Sequence, residues 1–271
     1  MVTALTGFPP AIIKRLVVKI GSALLVDNAG AIRSEWLSGV VADIAARVKA
    51  GQQIIVVSSG AIALGARRLA LPKGGRGSLD DAQAAAAVGQ IALSGHWAQL
   101  LGEQALTAAQ MLLTLDDLEN RRRYLNAAAT LERLLSLGVV PVINENDSVA
   151  TTEIRFGDND RLAARIGQAA RADAVVLLSD VDGLYTANPH SNPAARLVSE
   201  VKRIDAAIVA MADGGSGSGM GSGGMASKIA AAQIACSAGA HLAIISGLAD
   251  RPLSAWEQGA NGTIFLGQTG N

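Results

Sequence analysis

Six short, largely apolar runs, most of them rich in β-branched residues, punctuate the chain, at residues 16–20, 54–57, 110–113, 139–143, 174–178 and 242–245. None alternates apolar with polar positions. Each therefore predicts a strand covered on both faces, the condition of a parallel sheet held between layers of helices. Between the runs lie Ala-rich and Leu-rich stretches of helical length, at 34–50, 78–101, 116–137 and 159–170. Ser78 with Asp81 three residues later resembles a capping box, and Gly51 and Gly138 stand where helices end. The β-α-β-α order predicts an α/β fold, a three-layer α/β/α sandwich around a mainly parallel sheet. No Pro-rich, Ser-rich or charge-block linker divides the chain, so one domain over residues 1–271 is expected.

In such sheets ligands sit beyond the carboxyl ends of the strands. Small, polar or charged residues follow the runs there: Lys19, Gly21 and Ser22 after the first, Ser58, Ser59 and Gly60 after the second, Asn144 to Asp147 after the fourth, Ser179 and Asp180 after the fifth. Between Asp213 and Gly224, seven of twelve residues are Gly, and the segment runs through Met225, Ala226 and Ser227 to Lys228 and an Ala-rich helix. Glycines let backbone N–H groups approach a phosphate closely, and a helix N-terminus favours an anion. A surface loop of no function is the plain alternative. The segment matches neither a dinucleotide fingerprint, since no strand precedes it, nor a P-loop, since Ser227 stands before Lys228 where Gly is required.

Lys19 ends an apolar strand, where an ammonium must face an anion or snorkel outward. Lys228 starts a helix whose dipole opposes it, which an anion site would explain. Asn144, Glu145, Asn146 and Asp147 follow a strand, and Asp158, Asn159 and Asp160 open a helix; the second group could also be capping residues. Together the two clusters could hold an amino group, order an attacking carboxylate and orient nearby lysines. Cys236 reads as a buried packing residue, His96 as helix surface or core, and Arg121, Arg122 and Arg123 as a solvated helix face.

Half the residues are apolar, enough for a large core. Lys plus Arg, 23, equals Asp plus Glu, 23, so no basic field attracts nucleic acid or an anionic membrane. The single cysteine suits a reducing compartment, no apolar run is long enough to span a bilayer, and the start of the chain lacks a signal-peptide pattern; a cytoplasmic enzyme is expected. The three histidines lie far apart without cysteines in ligand spacing, so no direct metal site is expected.

Five motifs, in order, resemble the glutamate 5-kinase family, of amino-acid kinase fold: Val-Val-Lys-Ile-Gly-Ser at 17–22, Ser-Ser-Gly-Ala-Ile at 58–62, Val-Ile-Asn-Glu-Asn-Asp at 142–147, Gly-Asp-Asn-Asp at 157–160 and Ser-Gly-Gly-Met-Ala-Ser-Lys at 222–228. The resemblance covers nearly the whole chain. It implies phosphorylation of the side-chain carboxylate of L-glutamate by ATP, with Mg²⁺, at the first step of proline synthesis. Lys19 and Lys228 resemble the family's phosphate-binding lysines and Asp160 the acid that orients them. Ser59, Gly60, Asp147 and Asn159 match glutamate-binding positions. Lys19, Gly21, Ser22, Ser179, Asp180, Ser222, Gly223, Gly224, Met225, Ala226, Ser227 and Lys228 match nucleotide-binding segments, with Ser179 and Ser222 where Thr is common. Many members carry a C-terminal PUA domain, and the chain resembles the short, kinase-only form. The family also implies a homodimer or homotetramer, proline as feedback inhibitor, and a glutamyl-phosphate reductase acting next.

A glutamate side chain is ionised at neutral pH, so this reaction asks for no general base. Competing readings are a kinase of the same fold acting on acetylglutamate, aspartate or a nucleoside monophosphate, a nicotinamide-dependent dehydrogenase, and a non-catalytic glutamate or proline sensor.

Overall fold

The computed structural model describes residues 4–149, 159–189, 191–213 and 224–268. In chain order, β1 (Arg15–Ile20) leads through a single turn, α1 (Ser22–Leu25), to α2 (Ser34–Lys49), β2 (Gln53–Val57), α3 (Ala61–Arg68) and α4 (Leu79–Glu103). Next come β3 (Ala108–Leu113), α5 (Leu115–Glu119), α6 (Arg121–Ser136), β4 (Val140–Glu145), α7 (Asn159–Ala169) and β5 (Ala174–Ser179). The short strands β6 (Leu184–Tyr185), β7 (Leu197–Val198) and β8 (Glu200–Val201) precede α8 (Ala206–Asp213) and α9 (Met225–Ser237). The described chain closes with β9 (His241–Ser246), α10 (Pro252–Glu257) and β10 (Gly262–Phe265).

All six predicted strands lie in one sheet of order β3-β4-β2-β1-β5-β9-β10-β8. The first six are mutually parallel, and β10 runs antiparallel to β9. Alternate residues of each strand feed opposite cores. Leu16, Val18, Ile54, Val56 and Val176 join Trp36, Leu37, Leu93 and Trp97 of α2 and α4 on one face. Val17, Ile55, Val57, Val175 and Leu177 join Leu131, Leu162 and Ala232 of α6, α7 and α9 on the other. Two covered faces are why the runs read as continuously apolar. β3 differs: it is the sheet edge, and Gln110 and Leu112 are exposed.

The predicted helix 116–137 is two helices. Thr114 Oγ1 accepts from Asp117 N–H while the Asp117 carboxylate accepts from Thr114 N–H, a capping box that starts α5. Asn120, with extended backbone (φ −75°, ψ 116°), accepts from Arg122 and Arg123 N–H and starts α6. Two caps within seven residues out-compete one continuous helix. Arg121, Arg122 and Arg123 are exposed as expected. The Ser78 side chain does accept from Asp81 N–H, and Gly51 and Gly138 end their helices at φ 86° and 72°. Cys236 is buried on α9. Among the described residues no helix is long and apolar enough to cross a membrane.

Candidate active site

β1 lies between β2 and β5, where the chain, having built the sheet outward on one side, crosses to the other. Carboxyl ends at such a switch point leave a crevice, because the connections leave in opposite directions. Lys19 sits there on β1, beside Leu177 of β5 and Val57 of β2. Its ammonium is 2.7 Å from Asp160 Oδ1, and Lys228 Nζ is 3.2 Å from Asp160 Oδ2. The three residues are 6%, 6% and 1% exposed for Lys19, Lys228 and Asp160. Burial alone would push the Asp160 carboxyl up; Lys19 and Lys228 outweigh it and hold the carboxyl below its usual range. Asp160 opens α7 and Lys228 lies in the first turn of α9, so the carboxylate meets a favourable helix end and the ammonium an unfavourable one. The pairing with Asp160 compensates Lys228 for both burial and dipole. One carboxylate thus fixes two cations, from opposite ends of the chain, at one place.

Asn159, next to Asp160, faces the other way. Its Nδ2 donates to the Ser58 carbonyl (3.0 Å), Ser59 Oγ (2.6 Å) and Asn144 Oδ1 (3.3 Å). Its Oδ1 is buried with no hydrogen-bond partner among the described residues, and so is Asp147 Oδ1. Asp147 lines a cleft of about 340 Å³ with Ala61, Ala86, Gln90 and Ser148, and burial pushes its carboxyl up to about 6, opposed by the Arg76 charge. Asn159 Oδ1, beside Ser59, and Asp147 Oδ1, in its cleft, are open acceptors, and each suits a ligand that brings donors, as an ammonium does. Gly60 makes the turn possible: its φ is 104°, and a Cβ there would lie 3.0 Å from Val26 and 3.2 Å from Leu25.

At the end of β5, Ser179 Oγ donates to Asp180 Oδ1 (3.0 Å) and accepts from Val181 N–H (3.4 Å). Ser179 is buried and Asp180 exposed. Gly21 caps the one-turn α1, its carbonyl accepting from Leu24 and Leu25 N–H, and Ser22 is its first residue. A Cβ on Gly21 would lie 3.6 Å from the Lys19 ammonium, so the two line the same spot. Gly224 caps α9, followed by Met225, Ala226 and Ser227 in its first turn. Ser222, Gly223, Gly157 and Asp158 lie outside the described residues, as does most of the Gly-rich segment.

Three side chains at the site were not among the expected site residues. Asn144 holds Asn159, Gln90 Oε1 accepts from Asn144 Nδ2 (2.8 Å), and Trp97 Nε1 donates to Ser58 Oγ (3.1 Å). Asn144 stood in a recognised polar loop; Gln90 and Trp97 sit mid-helix and carried no signal.

The model of the amino acid kinase family matches residues 14–246. The glutamate 5-kinase of Sphingopyxis alaskensis is 70% identical over 97% of this chain and 70% of its own length. That of Zymomonas mobilis is 64% identical over 95% of this chain and 65% of its own. Among solved structures, a Giardia lamblia carbamate kinase bound to AMP-PNP superposes with a TM-score of 0.66 at 15% identity, covering 94% of this chain and 99% of its own, and shows the same fold. A sheet whose switch point gathers two buried lysines on one aspartate, together with these relatives, places the chain: it belongs to the amino acid kinase family, among the glutamate 5-kinases.

Proposed function

We propose that the chain transfers the γ-phosphoryl group of ATP to the side-chain carboxylate of L-glutamate, giving L-glutamyl 5-phosphate and ADP. The observation that carries this reading is the Lys19–Asp160–Lys228 cluster, with the open acceptor Asn159 Oδ1 on the residue next to Asp160. Asn159 Oδ1 and the Asp147 carboxylate accept the substrate's α-ammonium, with Ser59 and Gly60 shaping the wall beside it. An N-acetylated substrate has a single neutral amide N–H in place of three ammonium donors and would leave at least one acceptor unpaired, at about 1–3 kcal/mol, which argues against acetylglutamate.

The side-chain carboxylate attacks the γ-phosphorus, a C(=O)O–P bond forms as the bond to the bridging oxygen of ADP breaks, and no proton moves. What remains is to bring two anions together in line and to neutralise the equatorial oxygens. Lys19 and Lys228 meet that charge, and Asp160 holds both ammonium groups in place beforehand, so little reorganisation is needed at the transition state. Gly21 and Ser22 offer backbone donors to the phosphates; Ser179, Asp180 and the segment 222–228 border the nucleotide.

Asp160 is engaged by two lysines, and among the described residues no group of three or more His, Cys, Asp or Glu could hold a metal. Magnesium would come with ATP, held by the phosphates of the nucleotide, and would supply screening of their charge. To the same reading belong a cytoplasmic homodimer or homotetramer, proline competing for the glutamate site, and a glutamyl-phosphate reductase consuming the acyl phosphate.

The test is ADP release with hydroxylamine present to trap acyl phosphate, using glutamate, aspartate and acetylglutamate. Hydroxamate from glutamate alone is expected. Turnover confined to another acid would overturn the substrate, and nucleotide or glutamate binding without turnover would leave a sensor.

A further inference from the structure

Asn159 can serve the substrate only if its carboxamide keeps one orientation. Two backbone groups set the polarity around it. The Ser58 carbonyl can only accept, so the Asn159 atom 3.0 Å away is Nδ2, and Oδ1 is left for the ligand. The Glu145 N–H can only donate, so the Asn144 atom 2.9 Å away is Oδ1, which also receives Asn159 Nδ2. Asn144 Nδ2 then points at α4, and the group that meets it is Gln90 Oε1, at 2.8 Å. Asn144 is 2% exposed, so its amide donor has little access to water.

We propose that Gln90 is a positioning residue for the amino-acid substrate: by accepting from Asn144 it locks a chain of carboxamides, Gln90–Asn144–Asn159, that aims Asn159 Oδ1 at the ligand. This rests on the functional reading above. Without the Gln90 acceptor neither orientation of Asn144 is satisfied. As found, Nδ2 is orphaned; turned over, Nδ2 faces the Asn159 amide and the Glu145 N–H, donor against donor. Asn144 then stops holding Asn159. Gln90 and Asn144 lie on α4 and β4 and belong to none of the segments that border the nucleotide, so the effect is expected on the amino-acid side.

The experiment compares wild type with Gln90→Met, which keeps the length of the side chain without a strong acceptor, and Gln90→Glu, which keeps the acceptor. Michaelis constants for glutamate and ATP are measured separately by the hydroxamate assay. For Gln90→Met the expected result is a glutamate KM raised about tenfold, the scale of one buried unpaired donor, with kcat and the ATP KM within about threefold. Gln90→Glu restores the glutamate KM. A smaller folded fraction would lower kcat and leave KM alone, so misfolding cannot imitate the result. A glutamate KM within about twofold of wild type, an equal rise in both constants, or no recovery with Gln90→Glu overturns the inference while leaving the functional reading intact. Wild type that makes no hydroxamate from glutamate overturns the functional reading itself.

Discussion

Gly65 of α3 and Gly89 of α4 meet backbone to backbone: a Cβ added at Gly89 would lie 2.6 Å from Gly65 N and 1.7 Å from the Ala61 carbonyl oxygen, and one added at Gly65 would lie 1.7 Å from the Ala85 carbonyl oxygen. The contact sets more than a helix crossing. Ala61 begins α3 directly after Ser59 and Gly60, and Gln90 follows Gly89, so the same approach holds two walls of the cleft that Asp147 lines.

Gly89→Ala is therefore expected to destabilise the protein by about 3 kcal/mol or more, since backbone atoms, unlike a flexible side chain, cannot step aside. Denaturant unfolding should show a lower midpoint at unchanged slope. A loss under about 0.5 kcal/mol would mean that the helices can separate at little cost.

Removing either cation at Asp160 should act on the chemical step. Lys228→Ala is expected to lower kcat by about 10²-fold or more, with the glutamate KM little changed, because the interaction strengthens as charge develops on the phosphoryl oxygens. Asp160→Ala should lower kcat and also destabilise, by about 3–5 kcal/mol, since it leaves two buried ammonium groups without their shared carboxylate. In a thermal melt, added sulfate should recover more stability in this variant than in wild type.

Asp147 gives a pH dependence whose sign follows from its raised value. A carboxyl that titrates at about 6 when folded and near 4 when unfolded stabilises the fold fully below about 4, and that contribution is lost as pH rises through 6. Asp147→Asn should therefore stabilise the ligand-free protein at pH 7 by about 2–3 kcal/mol, a gain that vanishes near pH 4. The same variant should bind glutamate more weakly, and the wild-type glutamate KM should climb as pH falls below 6. A stability difference independent of pH would refute the assignment.

Cys236, buried on α9 with its thiol pushed up to about 11 by burial, should be inert. A thiol reagent at pH 8 is expected to titrate one group per chain in denaturant and almost none in the native state.

The sequence by itself determined the layered α/β fold, the six central strands and the polar loops at their carboxyl ends. Those features are local: a buried strand must be apolar throughout, and a ligand loop must leave its carboxyl end. Lys19 and Asp147 were legible for that reason, and Asn159, Asp160 and Lys228 through their motifs at helix starts. Tertiary structure alone decided the rest. That one carboxylate serves two lysines, one of them 68 residues away, depends on β1 lying beside β5 and on α7 and α9 packing side by side. The split of 116–137 was missed because Thr114 and Asn120 act through single side-chain hydrogen bonds that leave the apolar period unbroken. The antiparallel return of β10 and the exposed edge of β3 were invisible because strand order is a property of the whole sheet. Gln90 was missed for the plainest reason: a mid-helix glutamine has no pattern until the strand end it reaches is in place.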